Sequence, residues 1–472
     1  MYEPSALSLL PPLLAIALAI ATRQVVLSLG GGIWLGYCLF LHTNPVTGLA
    51  ASIEGVIAVF QDSGNTKVII FTLLVGGWLA TMESSGGVKG FVQWLEGRRW
   101  VDSPRRAQFM AWGIGIVIFI ESNITLLVAG AVSRPLFDRM RISREKLAYI
   151  IDSTSAPICI LIPFNAWGAF NLGLIASTGE SDSLGVFFMA IPLNLYAITA
   201  VALAAFSIIS KHDIGPMRAA AERTRNGQLL WPDASPMVDP SLLRQESDSS
   251  TVPRAINMIL PVATMLLAMP AALLITGGGD ISAGSGSTSV LWAILCALLV
   301  SWLCVLSTRS HSVSQLTDIF FKGAGGLVPV AVILLLSMAL GSIASALQGG
   351  QYLASVIGSD TPTALLLPLL FLISAAIAFA IGSSWGTFAI MIPIALPIAV
   401  ALGFPSAPFL AAVLSGAIFG DHASPISDTT IVASMAAATD HIDHVRTQLP
   451  YALIAGAIST VGFVIMGWVI SA

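Results

Sequence analysis

Charge is scarce in this chain. Of its 472 residues only 10% are Asp, Glu, Lys or Arg, against roughly 25% in soluble globular domains, and the mean hydropathy is +0.87. A deficit of that size over that length excludes an ordinary soluble enzyme and a disordered chain, and makes a bilayer the surrounding medium. An excess of basic residues is lacking too. The 21 Lys and Arg against 25 Asp and Glu leave a net charge of −4, which argues against a nucleic-acid partner. The 4 cysteines, Cys38, Cys159, Cys296 and Cys304, lie inside apolar runs without paired spacing; they read as small apolar packing residues and not as metal ligands. The first apolar run has Glu3 ahead of it instead of a basic segment, and no convincing small-residue cleavage site follows. It reads as a retained span, not a signal peptide.

What the chain has in abundance is apolar runs long enough to cross a membrane. A helix needs about 20 apolar residues to do so, and ten runs qualify: 6–21, 24–42, 66–84, 147–178, 184–210, 255–276, 288–308, 325–347, 406–435 and 449–470. Two further stretches do not fit as simple spans. One runs from Arg105 to Ser133 and holds ESNIT near its middle; the other runs from Thr363 to Leu402 and holds GSSWGT. Basic residues flank the first on both sides, with Arg98, Arg99, Arg105 and Arg106 before it and Arg134, Arg139, Arg141, Arg144 and Lys146 after it, while none flanks the second. Because basic residues concentrate on the cytoplasmic side, the two stretches are expected to be re-entrant hairpins entering from opposite faces. Carried along the chain, that topology leaves only Lys67 among the basic residues outside, and it puts both termini outside. The polar segment 211–254 reads as a cytoplasmic linker, with Arg218, Arg223 and Arg225 in solvent.

The two halves resemble each other. Segment 68–96 matches 331–358, with glycine pairs Gly86-Gly87 and Gly349-Gly350 at corresponding places. A hairpin with a polar tip follows in each half, and then a span interrupted by Asp-x-x-Ser-(x)-Pro: Asp152 to Pro157 in one, Asp421 to Pro425 in the other. Five crossings separate equivalent elements, so the second copy is inverted. The expected fold is therefore an all-α polytopic membrane protein of two inverted-topology repeats, 1–210 and 255–472. Each repeat has a re-entrant hairpin and a broken transmembrane helix, giving ten full spans and two hairpins. Such repeats with discontinuous helices describe secondary transporters.

Non-helical backbone at membrane depth is tolerated only where protein buries it or a wet cavity receives it, so the breaks mark the site. Charges within the apolar runs fall at the same places, and a charge there is costly unless paired or coordinating. Glu121 sits at the first hairpin tip beside Ser122, Asn123 and Thr125, a set of hard oxygens suited to an alkali cation. Asp152, with Ser153 and Thr154, either binds or caps the next helical piece. Asp421 and Asp428 lie about two helical turns apart in GDHASPISDTT, which also contributes His422, Ser424, Ser427 and Thr429. Two carboxylates, an imidazole and several hydroxyls in so short a stretch are hard to explain as packing. The imidazole reads either as a neutral core group or as a proton relay. The second tip offers Ser383, Ser384 and Thr387, neutral oxygens able to hold a cation or donate to an anion, and Asn165 is the one polar group after the first break. No Lys or Arg occupies the middle of any span. Carboxylates without basic partners favour a cation substrate, and buried carboxylates exchange it for protons.

At these residues the chain resembles the NhaC-type sodium/proton antiporter family. The likeness is carried by SSWGTFAIMIPIA (383–395), GDHASPISDTTI and SRPLFDRMRISREKLAYIIDSTSAPICIL (133–161), and with the repeat it extends over nearly the whole chain. It implies a polytopic antiporter of a prokaryotic inner membrane, exchanging Na⁺ or Li⁺ for H⁺ without a cofactor. Na⁺ would sit at Asp421, Asp428 and Glu121. Carriers with such hairpins are commonly homodimers. The sequence departs from the family at the first hairpin tip, where two adjacent acids and an aromatic are replaced by Glu121, Ser122 and Asn123. One carboxylate fewer removes a cation ligand, which leaves as the alternative a Na⁺- or H⁺-coupled carrier of a small carboxylate or amino acid. An ion channel would not explain the paired breaks, and an intramembrane aspartic protease would not explain the repeat.

Overall fold

The structure, a computed structural model, describes residues 5–22, 24–96, 103–119, 122–163, 165–180, 182–236, 252–279, 284–348, 352 and 363–471. Helices carry the chain, and no strand occurs among the described residues. In a medium without water, backbone amides and carbonyls must pair within their own segment, and a chain this apolar has no other economical solution. The first half runs through helices Leu10–Thr22, Val25–Phe40, Pro45–Ala58, Ser63–Ser84 and Gly87–Glu96 to a hairpin of Pro104–Val117 and Ser122–Arg139. A broken helix in three pieces follows, Arg144–Ser153, Ala156–Leu161 and Ala166–Ser177, and the half closes with Ser183–Ala190 and Leu195–Ser210. The second half runs through Ile256–Thr276, Gly286–Ser307, Val313–Gly326 and Val328–Ala346 to a hairpin of Leu366–Ile381 and Ser384–Ala401. Its broken helix is Ser406–Ala423 with Asp428–Ala437, and it ends in the long helix His441–Ser471. The glycine pair Gly349-Gly350 lies outside the described residues.

Six helices are long and apolar enough to cross a membrane. Two bent pairs, one turning by 114° at residues 41–44 and one by 47° near residue 327, raise the number to eight if each is one span. The protein is thus an all-helical, polytopic membrane protein with broken helices and hairpins. The last span differs from its expected start at 449: its helix begins at His441. His441, His444, Thr447 and Gln448 are polar yet buried, so hydropathy alone placed them in a loop.

Close backbone approach locks the site's supports together. A Cβ on Gly416 would lie 2.2 Å from the Phe371 carbonyl oxygen and one on Gly420 2.1 Å from that of Ala375. This Gly-x-x-x-Gly face lets the second broken helix lie directly on its hairpin, as small residues do between membrane helices. Gly382 turns that hairpin with a φ of +74° and lies beside the Ile426 carbonyl of the break, a conformation only glycine adopts cheaply. The halves are interleaved. Lys67 reaches from the first half to Thr288 Oγ1 of the second at 3.0 Å, and Arg144 bridges Asp138 at 2.8 Å and the Ala438 carbonyl at 2.9 Å.

Segment 211–254 also differs from expectation where it is described. It forms a helix, Gly215–Arg225, and Arg223 is buried instead of solvated. Its guanidinium grips Glu145 in a bidentate pair at 2.8 and 3.0 Å and lies 4.6 Å from the Trp231 ring centroid. A planar fork matched to a carboxylate is the arrangement in which a buried arginine is sustained.

Candidate ion-binding site

The site is built where helices stop. In the first broken helix, Arg144–Ser153 ends at Thr154, and Pro157 lies at the start of the next piece, where its missing amide hydrogen costs nothing. In the second, Ser406–Ala423 ends before Ser424-Pro425, and Ser427 restarts the helix by accepting from the Thr430 amide. The ends place Asp152, Asp421 and His422 in the interior, with both carboxylates only 1% exposed.

Asp152 faces neutral donors from the other half. Its Oδ2 accepts from Gln448 Nε2 at 2.7 Å and from Thr430 Oγ1 at 3.2 Å, while His422 Nε2 and His444 Nε2 each stand 3.9 Å away. His422 is held at both nitrogens, by Tyr196 Oη at 2.8 Å and Ser153 Oγ at 3.3 Å, and Gln448 also donates to its carbonyl at 2.8 Å. Asp421 is reached from the second hairpin, where Ser384 Oγ donates to its Oδ2 at 3.0 Å. The hydroxyl of Thr429 meets that of Ser427 at 3.0 Å.

From Asp152 a chain of proton-bearing groups continues. Gln448 Oε1 faces His444 Nε2 at 2.9 Å; His444 Nδ1 and His441 Nδ1 share the Ser434 hydroxyl at 2.9 and 3.0 Å; His441 Nε2 meets the Pro425 carbonyl at 2.6 Å. The carbonyl only accepts, so His441 donates from Nε2. His444 likewise donates from Nε2 to the Gln448 oxygen, so in the neutral rings both Nδ1 atoms accept, and the one hydroxyl proton of Ser434 has three acceptors within reach, the two imidazoles and the Thr430 carbonyl at 2.8 Å. Alternative proton positions are therefore built into the chain.

Other expected residues make their hydrogen bonds to backbone. Thr125 donates to the Ile118 carbonyl across the first hairpin tip, beside buried Ser122. Thr154 donates to the Ile150 carbonyl and packs against Gly115. Asn165 caps the helix that begins at Ala166 and donates to the Phe119 and Cys159 carbonyls at 2.9 and 2.8 Å, tying hairpin to broken helix. Ser383 caps the helix after the second tip, Thr387 donates to its carbonyl, and Ser424 donates to the Phe379 carbonyl. Glu121 and the side chains of Asn123 and Asp428 lie outside the described residues. Sequence reading missed Tyr196, Thr430, Ser434, His441, His444 and Gln448. The signal for three of them was present, since His441, His444 and Gln448 fall three and four residues apart and share one face of a helix.

An all-helical membrane protein whose broken helices converge on buried carboxylates is a secondary transporter, and comparison with known proteins gives the family. The description "Na+/H+ antiporter family" matches residues 158–468, and the chain belongs to that family. An uncharacterized protein of Haemophilus influenzae is 32% identical over the whole of this chain and 92% of its own length. The arginine/ornithine antiporter ArcD of Halobacterium salinarum is 40% identical over 104 residues, 22% of this chain and 21% of its own. The crystal structure of the Alcanivorax borkumensis YdaH transporter superposes with a TM-score of 0.61 over 89% of this chain and 88% of its own, at 13% identity, a likeness of fold.

Proposed function

We propose that the protein exchanges Na⁺ or Li⁺ for H⁺ by alternating access, the two ions competing for carboxylates in the breaks. The observation that carries this reading is the pair Asp152 and Asp421, buried to 1% exposure at broken helix ends and met by hydroxyl and amide groups. Such a carboxylate needs a cation or a proton in a low-dielectric interior. Asp421, with Ser384 and with Asp428 and Glu121 from the sequence pattern, holds the metal cation. Asp152 holds the proton and passes it toward His444 and His441. Two inverted halves, 1–210 and 255–472, joined by the linker 211–254, rock around this site. The face rich in arginine is cytoplasmic, the membrane is a prokaryotic inner membrane and the termini lie outside.

The test is a vesicle assay. Purified protein is reconstituted with a preset pH gradient, Na⁺, Li⁺ or K⁺ is added, and internal pH is followed with a dye. Na⁺ or Li⁺ should dissipate the gradient in wild type and not in Asp421→Asn. Wild-type exchange by a folded Asp421→Asn protein would remove Asp421 from the site.

A second reading, a coupled carrier of an amino acid or small carboxylate, draws on two observations. One is the partial match to an arginine/ornithine antiporter. The other is a pair of buried polar atoms without a hydrogen-bond partner, Trp167 Nε1 and Asn171 Oδ1, on a helix whose Trp167 ring lies 5.0 Å from that of Trp385. Thermal stabilisation by such a solute only when Na⁺ is present would select this reading.

A further inference from the structure

A cavity of about 460 Å³ opens at the arginine-rich face, between the first hairpin, the start of the first broken helix, the end of Leu195–Ser210 and the linker helix. Arg105, Arg141, Lys146, Lys211 and Arg225 line it, and Asp213 is the one acid among the described lining residues. That acid is already engaged by Lys146 at 2.6 Å. Neutral carbonyls position two of the guanidiniums: Arg105 Nη2 donates to Ile209 O at 2.6 Å and Arg141 Nη1 to Arg225 O at 3.5 Å. They orient these groups without cancelling their charge. Lys146, itself buried, donates also to Ser207 Oγ at 2.9 Å. Concentrating one sign of charge in a cleft with low-dielectric walls focuses its field on whatever enters. The positive excess belongs to the pocket, beyond what an orientation signal in loops requires.

We propose that this cavity binds a phosphate-bearing anion, the headgroup of an anionic phospholipid. The mouth supplies the argument for the lipid. Phe206 and Ile209, 62% and 54% exposed, neighbour the lining residues Ser207 and Ile208 in sequence and present an outward apolar surface for an acyl chain. A headgroup there contacts the linker helix at Arg225, the hairpin at Arg105 and the turn at Arg141. It thereby holds the linker against the piece that carries Lys146 and, under two turns further on, Asp152. Basic pockets between membrane helices at the cytoplasmic surface recognise lipid headgroups by this chemistry. The inference does not depend on which solute the carrier moves.

The test is thermal unfolding of the full-length protein in detergent, titrated separately with phosphatidylglycerol, phosphatidylcholine and inorganic phosphate. The expected result is stabilisation by phosphatidylglycerol at a half-saturating concentration about tenfold below that of phosphatidylcholine, with Lys211→Gln and Arg225→Gln each weakening the phosphatidylglycerol response about fivefold. Both side chains are exposed. Arg218→Gln, on the same linker helix and paired with exposed Glu222, should leave it unchanged. Saturable stabilisation by inorganic phosphate, lost in the same two variants, would keep the anion site and assign it to a free phosphate. Equal responses to both lipids with none to phosphate, or full phosphatidylglycerol discrimination in the Lys211 and Arg225 variants, would overturn the proposal.

Discussion

Gln448 is the residue on which the interior network turns. Its amide donates to Asp152 and to the His422 carbonyl while its oxygen faces His444, so all of its groups are engaged in a buried place. Replacing it by leucine keeps much of the volume and leaves three partners without their bond. A hydrogen bond to a charged group contributes about 1.5–3 kcal/mol. Gln448→Leu should therefore lower the unfolding free energy by an amount of that order and slow exchange strongly, measured by thermal unfolding and by the vesicle assay. Unchanged exchange would detach the histidine chain from transport. Sequence reading reached Asp152, Asp421 and His422 because a charge or imidazole inside an apolar run stands out locally. It did not reach Gln448, since the partner lies 296 positions away and a polar residue just ahead of an apolar run is ordinary.

At the scale of the element, the breaks were legible and their neighbours were not. Asp-x-x-Ser-(x)-Pro announces a helix end and a restart in the residues themselves: Ser427 is the cap, and the prolines forbid continuity. The histidine-bearing turn of His441–Ser471 was hidden because hydropathy averages a polar first turns' face into a loop. Helix packing yields a sharper prediction. Gly420 adjoins Asp421, and a methyl group there meets the Ala375 backbone, which cannot retreat as a flexible side chain would. Gly420→Ala should lower stability by about 1–3 kcal/mol and reduce exchange by displacing Asp421 from Ser384. Thermal unfolding with transport in parallel checks both. A fully stable, fully active variant would show that the two helices can separate without consequence for the site.

For the whole molecule, the docked linker is what the sequence concealed most completely. Composition makes 211–254 look solvated, and the physics of a polar segment supports that reading until a buried partner is known; Glu145 is that partner. Breaking a buried ion pair from one side costs about 3–5 kcal/mol, because the remaining charge stays buried and alone. Arg223→Ala should therefore destabilise the protein by that order, and Glu145→Gln combined with Arg223→Gln should destabilise it less than Arg223→Ala alone. Melting temperatures of the three proteins decide this; equal losses in both variants would mean that the pair contributes no charge-specific stabilisation. The all-helical, polytopic class, by contrast, was legible early. Apolar runs and the breaks within them are statements about the solvent, and a bilayer imposes its constraints on every residue of a span.

The central claim is competition between a metal cation and protons for the buried carboxylates. The most direct measurement is the apparent KM for Na⁺ in proteoliposomes as a function of pH, with the maximal rate followed alongside. If one proton excludes one Na⁺, the apparent KM rises as pH falls, approaching about tenfold per pH unit on the acid side by linkage, while saturating Na⁺ restores the same maximal rate. An apparent KM that stays constant while the maximal rate falls with pH would contradict the account, because protons would then act somewhere other than at the cation site.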